Sequence, residues 1–176
     1  MNQIFAKISL KDWRRKSVPA VPKSCIKKYR RFSQKLANPN VLAELRNLFE
    51  REYSLPELLE WLHRKVKWSK GNIKRHDDPM KILAYGKGKC GEFSILFTAL
   101  CLAHNYRARL ILDMSDHVWT EVWNEKERKW VHVDPSEKRI DDPKMYERDW
   151  KKNLKKIYAF ENGAMENVTR RYKLGM

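Results

Sequence analysis

The sequence predicts an α+β fold: a helical N-terminal half with one central buried helix, packed on an antiparallel β-sheet. Three observations predict it. Apolar residues recur at helical spacing up to about residue 104, the period drops to two between Arg107 and Asp134, and the helical and strand regions follow one another instead of alternating. No internal repeat is visible. The chain has 176 residues, 42% hydrophobic and 11% aromatic, enough to bury a core and too apolar for wholesale disorder. Its longest apolar run, Ile95 to Ala103, is too short to span a bilayer.

Residues 1–38 read as a basic leader, partly irregular, because Pro19 and Pro22 interrupt them; residues 39–176 read as a single domain. The formal net charge is +16, and residues 1–40 hold eleven basic residues against one acid, Asp12. A field of that sign attracts polyanions, so weak polyanion or nucleic-acid contact through the leader is one expectation; a solvated basic arm is the plainer one. Ile26, Tyr29 and Phe32 give the leader some helical spacing for docking. Residues 1–10 carry no secretory pattern, and Cys25, Cys90 and Cys101 are odd in number without a C-x-x-C pair. A cytoplasmic protein with no disulfide framework, no metal site and no membrane partner is expected.

From a cap at Asn40, the set Val41, Leu42, Leu45, Leu48 and Phe49 predicts an amphipathic helix. Ser54 with Glu57 three residues on is a capping box, and Leu55, Leu58, Leu59, Leu62 and Val66 make the stripe of the next helix. Asp78 caps a short helix that has Pro79 at its first position and ends near Gly86. Cys90 to about His104 is apolar on more than one face and predicts the central helix, with Asn105 as its left-handed stop. Arg107 to Asp113, His117 to Trp123 and Lys129 to Asp134 predict an antiparallel meander. A helix around Lys144 to Lys152 and strands at Ile157 to Phe160 and near Val168 to Tyr172 complete the expectation.

Cys90 follows Gly86 and Gly88 and opens a helix. Unpaired backbone N–H groups and the positive end of the helix dipole there favour the nucleophilic thiolate. If Trp123 and Arg128 close a hairpin around the loop Asn124 to Glu127, then His117 stands opposite Asp134, Trp119 opposite His132 and Glu121 opposite Trp130. A carboxylate beside one imidazole nitrogen fixes the tautomer and leaves the other nitrogen to work as a base. Trp119, Trp123 and Trp130 offer flat faces for a sugar or a peptide, although tryptophans on a hairpin are more often core. His63, His76 and His104 have no metal-ligand spacing, and Cys101 falls inside the apolar helix, buried and inert.

Gly88-Lys89-Cys90-Gly91-Glu92 leading into Phe97-Thr98-Ala99-Leu100, Asp116-His117-Val118-Trp119-Thr120-Glu121-Val122, and Trp130-Val131-His132-Val133-Asp134-Pro135 resemble three motifs of the transglutaminase-like superfamily, whose core is papain-like. The nearest resemblance is to the cytoplasmic peptide:N-glycanases, whose pattern also includes Glu137, Trp150-Lys151-Lys152, Tyr158-Ala159-Phe160 and Val168-Thr169-Arg170-Arg171-Tyr172. The resemblance implies a cysteine amidohydrolase without cofactor: Cys90 the nucleophile, His117 the base and then acid, Asp134 the orienting group, with a thioester between. It also implies a second oxyanion donor upstream of the nucleophile, Trp68 or Asn72, beside the Cys90 N–H. Trp119, Glu121 and Glu137 are the expected substrate contacts, and a peptide, protein or glycoprotein is the expected partner. This sequence lacks the paired-cysteine zinc site that the eukaryotic glycanases carry ahead of the nucleophile. The alternatives are a non-enzymatic nucleic-acid-binding module, as in repair proteins that resemble this fold without its catalytic residues, or transglutaminase or protease activity on the same triad.

Overall fold

In the computed structural model, which describes residues 23–173, the first half runs α1 (Lys23–Leu36), α2 (Pro39–Arg46), α3 (Leu55–Lys65), β1 (Lys67–Trp68), α4 (Pro79–Tyr85), β2 (Lys87–Gly88) and α5 (Cys90–Ala103). The second half runs β3 (Ala108–Asp113), β4 (His117–Asn124), β5 (Lys129–Asp134), β6 (Arg139–Ile140), α6 (Met145–Arg148), β7 (Ile157–Glu161), β8 (Ala164–Asn167) and α7 (Thr169–Tyr172). The mixed helix-and-sheet architecture is the one the sequence predicts.

Local chemistry accounts for most of these boundaries. Asp78 accepts from the Lys81 N–H at the start of α4, and Gly86 ends that helix at φ +67°, a left-handed turn that costs glycine little. The Glu57 carboxylate accepts from both the N–H and the hydroxyl of Ser54 at the head of α3. Asn105 stops the central helix at φ +63°. The cap of α2 is Asn38 instead of Asn40, because its side chain accepts from the Asn40 N–H and Pro39 takes the first helical position.

Strands β6-β5-β4-β3-β7-β8 form one antiparallel six-stranded sheet among the described residues, and β1 pairs in parallel with β2. Helix α5 lies on one face of the sheet, where Leu110, Leu112, Val118, Val122, Val131 and Val133 join its core with Phe93, Leu96 and Leu100. The other face is covered by the C-terminal segment, through Ile111, Trp119, Tyr146, Leu154, Ile157, Val168 and Tyr172. Coverage on both faces is why β3 is buried at every residue instead of alternating.

Two predicted elements differ. The helix expected over Lys144 to Lys152 is only α6, because Lys151 turns left-handed (φ +51°) and lets Lys152 and Leu154 drop into the protein. The strand expected at Val168 to Tyr172 is instead β8 followed by α7. Asn162 and Gly163, both at positive φ, make a tight turn after β7, so the paired strand is used up before Val168 and Tyr172 turns inward. Of the expected leader, residues 1–22 lie outside the described residues. Residues 23–36 form α1, whose Phe32 and Leu36 sit in the same core cluster as Leu96 and Phe97.

Candidate active site

The nucleophile helix starts where backbone space is tightest. A Cβ on Gly88 would stand 2.7 Å from the Glu92 Cβ, so β2 can run into α5 only with glycine there. Glu92, almost fully buried, accepts from the Lys89 N–H through Oε2 (3.0 Å) and pairs through Oε1 with Arg75 Nε (2.5 Å). The same guanidinium reaches over Gly91, where a Cβ would stand 2.9 Å from Arg75 Nη2 and 3.9 Å from the Tyr29 hydroxyl. Cys90 is thus a half-buried thiol on the first turn of α5, with Arg75 and Tyr29 at its side.

Two polar ties set β4 against α5. Thr98 Oγ1 meets Thr120 Oγ1 at 2.9 Å, and Ser94 Oγ donates to the Val118 carbonyl at 2.8 Å. Four helical residues rise about 6 Å and two strand residues about 6.7 Å, so the two elements keep step. One further step of the same size carries the pairing to Cys90 and Asp116, the residue before His117 at the head of β4. Asp113 holds the preceding turn: it accepts from the Ser115 N–H and from its hydroxyl, and it pairs with Lys152 Nζ at 3.0 Å.

His117 Nε2 donates to Asp134 Oδ2 at 2.7 Å, with both residues buried. The other ring nitrogen, Nδ1, is not used by Asp134, and Cys90 is near enough to favour the charged imidazole. Asp134 Oδ1 accepts from the Ser136 N–H (3.0 Å), the Ser136 hydroxyl (2.7 Å) and the Glu137 N–H (3.2 Å), and Oδ2 accepts also from the Tyr146 hydroxyl (2.9 Å). His63 Nε2 donates to the Pro135 carbonyl (2.7 Å), tying α3 to the same turn. Burial alone would push the His117 imidazole down. The charge of Asp134 and its hydrogen bond, followed by those of Cys90, outweigh burial and raise it to about 10. Burial likewise opposes ionisation of Asp134, but His117 and the surrounding donors hold it well below the usual carboxylate range. The arrangement can therefore hold a protonated imidazole between a carboxylate and a sulfur at neutral pH.

His117 and Asp134 meet, but by a different strand pairing from the expected one. Asn124 pairs with Lys129, Glu121 with His132 and Thr120 with Val133, one step from the predicted hairpin. Asn124 Oδ1 accepts from the N–H groups of Lys126 and Glu127, and Arg128 closes the turn at φ +48°, so the four-residue loop is 125–128. Each partner moves by two residues, which preserves the face, and His117 reaches Asp134 diagonally instead of from directly opposite.

Two expected substrate contacts are enclosed. Trp119 is 0% exposed between Tyr146 (4.6 Å between ring centres) and Tyr172 (4.8 Å), and Glu121 is 0% exposed against Arg109, Arg171 and the Tyr172 hydroxyl. The C-terminal cover of the sheet, invisible in the local pattern, puts both beyond the reach of a substrate. Trp123 and Trp130 meet edge to face, with the Arg109 guanidinium 3.9 Å from the Trp130 ring centre. Glu137 is half-buried beside the pair; burial first, then the Asp134 charge, raises its carboxyl to about 7. Trp68, in β1, pairs with Gly88 two residues before Cys90 and packs on Phe93, whereas Asn72 is exposed on the following loop. Cys101 is buried, and burial raises its thiol.

Sequence reasoning missed Arg75, Tyr29 as a neighbour of Cys90, and Tyr146. None carries a local motif; Tyr29 showed only as a docking residue of the leader. Among the described residues, no group of three or more His, Cys, Asp or Glu side chains converges as a metal site, and no helix is long and apolar enough to cross a membrane.

Against known proteins, the profile of the transglutaminase-like superfamily matches residues 42–135, and that of the Rad4 transglutaminase-like domain matches residues 114–174. The peptide-N(4)-(N-acetyl-beta-glucosaminyl)asparagine amidase of Drosophila melanogaster is 45% identical over 98 residues, 56% of this chain and 16% of that protein. The protein of the same name from Mus musculus is 28% identical over an alignment of 201 positions, covering 89% of this chain and 31% of that protein. The chain thus spans less than a third of the length of either. Rad4–Rad23 bound to a 6-4 photoproduct UV lesion shares the fold, with a TM-score of 0.63 at 17% identity over 87% of this chain and 47% of that one.

Proposed function

Since the chain belongs to the transglutaminase-like superfamily, we propose that it is a cysteine-dependent amide hydrolase of the peptide:N-glycanase kind. The observation that carries the reading is the His117–Asp134 hydrogen bond at 2.7 Å, with Cys90, on the first turn of a helix, among the groups that favour the charged imidazole. The similarity to amidases that bear the glycanase name supports the substrate class.

In this reading the Cys90 thiolate attacks the carbonyl carbon of an amide, and the carbonyl electron pair moves to oxygen. The Cys90 N–H and the Trp68 indole stabilise that oxyanion. As the C–N bond breaks, His117 Nδ1–H gives its proton to the departing nitrogen, which leaves as an amine or a glycosylamine. The neutral imidazole then takes a proton from water, the hydroxide attacks the thioester, and the acid and the thiolate are released. Glu137 is the remaining candidate for contact with the substrate. A reducing compartment such as the cytoplasm suits a nucleophile that must stay a thiol.

The test is incubation with a denatured N-glycoprotein and, separately, with a panel of unmodified peptides. Release of the glycan with conversion of its asparagine to aspartate is expected, lost in Cys90→Ala. Absence of turnover on both, together with no electrophile adduct at Cys90, removes the hydrolase reading. A second reading, polyanion binding, rests on the surface groove of α1 lined by Lys27, Lys28, Arg30 and Arg31. It predicts a gel shift with nucleic acid that weakens steeply with salt and is lost when Lys27, Lys28 and Arg31 are replaced by glutamine.

A further inference from the structure

The Asp134 carboxylate has one donor that a Cys–His–Asp triad does not require. Tyr146, fully buried in α6, donates to Oδ2 at 2.9 Å, the same oxygen that accepts from His117 at 2.7 Å. The Tyr146 oxygen also lies 2.8 Å from His132 Nε2, and His132 is fully buried one β5 face position before Asp134.

Proton positions follow by elimination. The phenol has one proton and the ionised carboxylate none, so Tyr146 donates to Asp134 and accepts from His132 Nε2–H. His132 Nδ1 is buried without a hydrogen-bond partner, which fits a ring whose single proton sits on Nε2. Burial lowers the His132 imidazole to about 4, so the ring is neutral at working pH. The result is a one-way chain, His132 to Tyr146 to Asp134, that ends on the oxygen His117 uses.

We propose that Tyr146 is a positioning residue for the catalytic pair, with His132 fixing the direction of its hydroxyl. This rests on the hydrolase reading given above. Two donors on one carboxylate oxygen share its charge, so Tyr146 moderates the pull of Asp134 on the His117 proton. An unmoderated carboxylate holds that proton harder, and His117 then releases it less readily to a leaving nitrogen. The groups that face His117 are His132, Asp134 and Glu137 from β5 and the turn after it, Trp119 from β4, Cys90 from α5, and Tyr146 with Trp150 from the C-terminal segment; Arg75 and Tyr29 flank Cys90. Tyr146→Phe changes only one of them and keeps the ring that packs on Trp119 and Trp150.

The experiment is the pH dependence of iodoacetamide alkylation at Cys90, read by mass spectrometry on the Cys90 peptide so that Cys25 and Cys101 do not interfere. In the wild type, alkylation should show the alkaline limb of a thiolate–imidazolium pair. In Tyr146→Phe that limb should move up by roughly half to one pH unit, and kcat should fall roughly threefold to tenfold with KM unchanged. A purely structural role would lower stability and leave the limb in place. A folded Tyr146→Phe whose profile superimposes on the wild type overturns the proposal while the hydrolase reading stands. A wild type with no such limb overturns both. Should Tyr146→Phe fail to fold, nitrogen NMR of the wild type decides. His132 must be neutral with its proton on Nε2 from pH 5 to 9, and a charged ring or a proton on Nδ1 overturns the proposal.

Discussion

Glu137 shows how burial next to a charge becomes a property that can be titrated. Its carboxyl is raised from an ordinary 4.5 to about 7, by burial first and the Asp134 charge second. A raised folded pKa means that the fold favours the protonated form. That contribution is complete below the unfolded pKa and disappears as pH rises through the folded one. Glu137→Gln, which stays neutral, should therefore match the wild type in stability near pH 4 and exceed it progressively toward pH 8. The gain is bounded above by about 3 kcal/mol and is smaller to the extent that solvent screens the group. Thermal unfolding of both proteins across that range measures it, and a difference that stays flat with pH rejects the assignment. His117 carries the same sign for the opposite reason: its partners, not burial, raise it, so its contribution is lost only as pH climbs through about 10. The proposed catalytic residues, Cys90, His117 and Asp134, could be singled out in the sequence because each sits in a short local motif. Tyr146 was not, since nothing around residue 146 indicates that its hydroxyl meets Asp134.

Among the elements, the β7–β8 hairpin does more than extend the sheet. Its turn glycine, Gly163, receives Arg30 Nε on its carbonyl (3.0 Å) and donates its N–H to Ser33 Oγ (2.9 Å), so the turn clasps α1. Gly163 lies at φ +81°, and a Cβ there would stand 2.5 Å from Gln34 Nε2. Gln34 is exposed and can swing aside, so the backbone conformation decides the cost. Gly163→Ala should lose about 1–2 kcal/mol, checked by urea unfolding, and an unchanged midpoint would mean that the turn rearranges freely. The Asn162-Gly163 pair is a turn signal that was present in the sequence and outweighs the β-forming composition of Val168 to Tyr172. The caps at Ser54 and Asp78 and the stop at Asn105 were legible for the converse reason: each is decided by groups within three or four residues of one another.

For the whole molecule, the decisive packing is a sheet covered on both faces by segments far apart in sequence. Helix α1 belongs to the cover on the α5 side: Phe32 is 3% exposed, its ring centre lies 5.5 Å from that of Tyr29, and it shares a core with Phe97 and Phe160. Phe32→Ala should cost about 3–5 kcal/mol in denaturant unfolding. Because Tyr29 rides on the same helix beside Cys90, the variant should also make Cys90 more accessible to alkylation. A loss below about 1 kcal/mol would mean that α1 only rests on the surface. The sequence alone determined most of the helices and strands between residues 39 and 134, where they stop, and that a cysteine, a histidine and an aspartate occur on a helix start and a hairpin. Those features follow from caps, glycines and periodicity, which act within one or two turns of chain. The tertiary structure decided the hairpin register, the enclosure of Trp119 and Glu121, and the fifth donor on Asp134. Each depends on which distant segment covers a given face, and neither residue 119 nor residue 134 carries any local record of what residues 145–172 will bring against it.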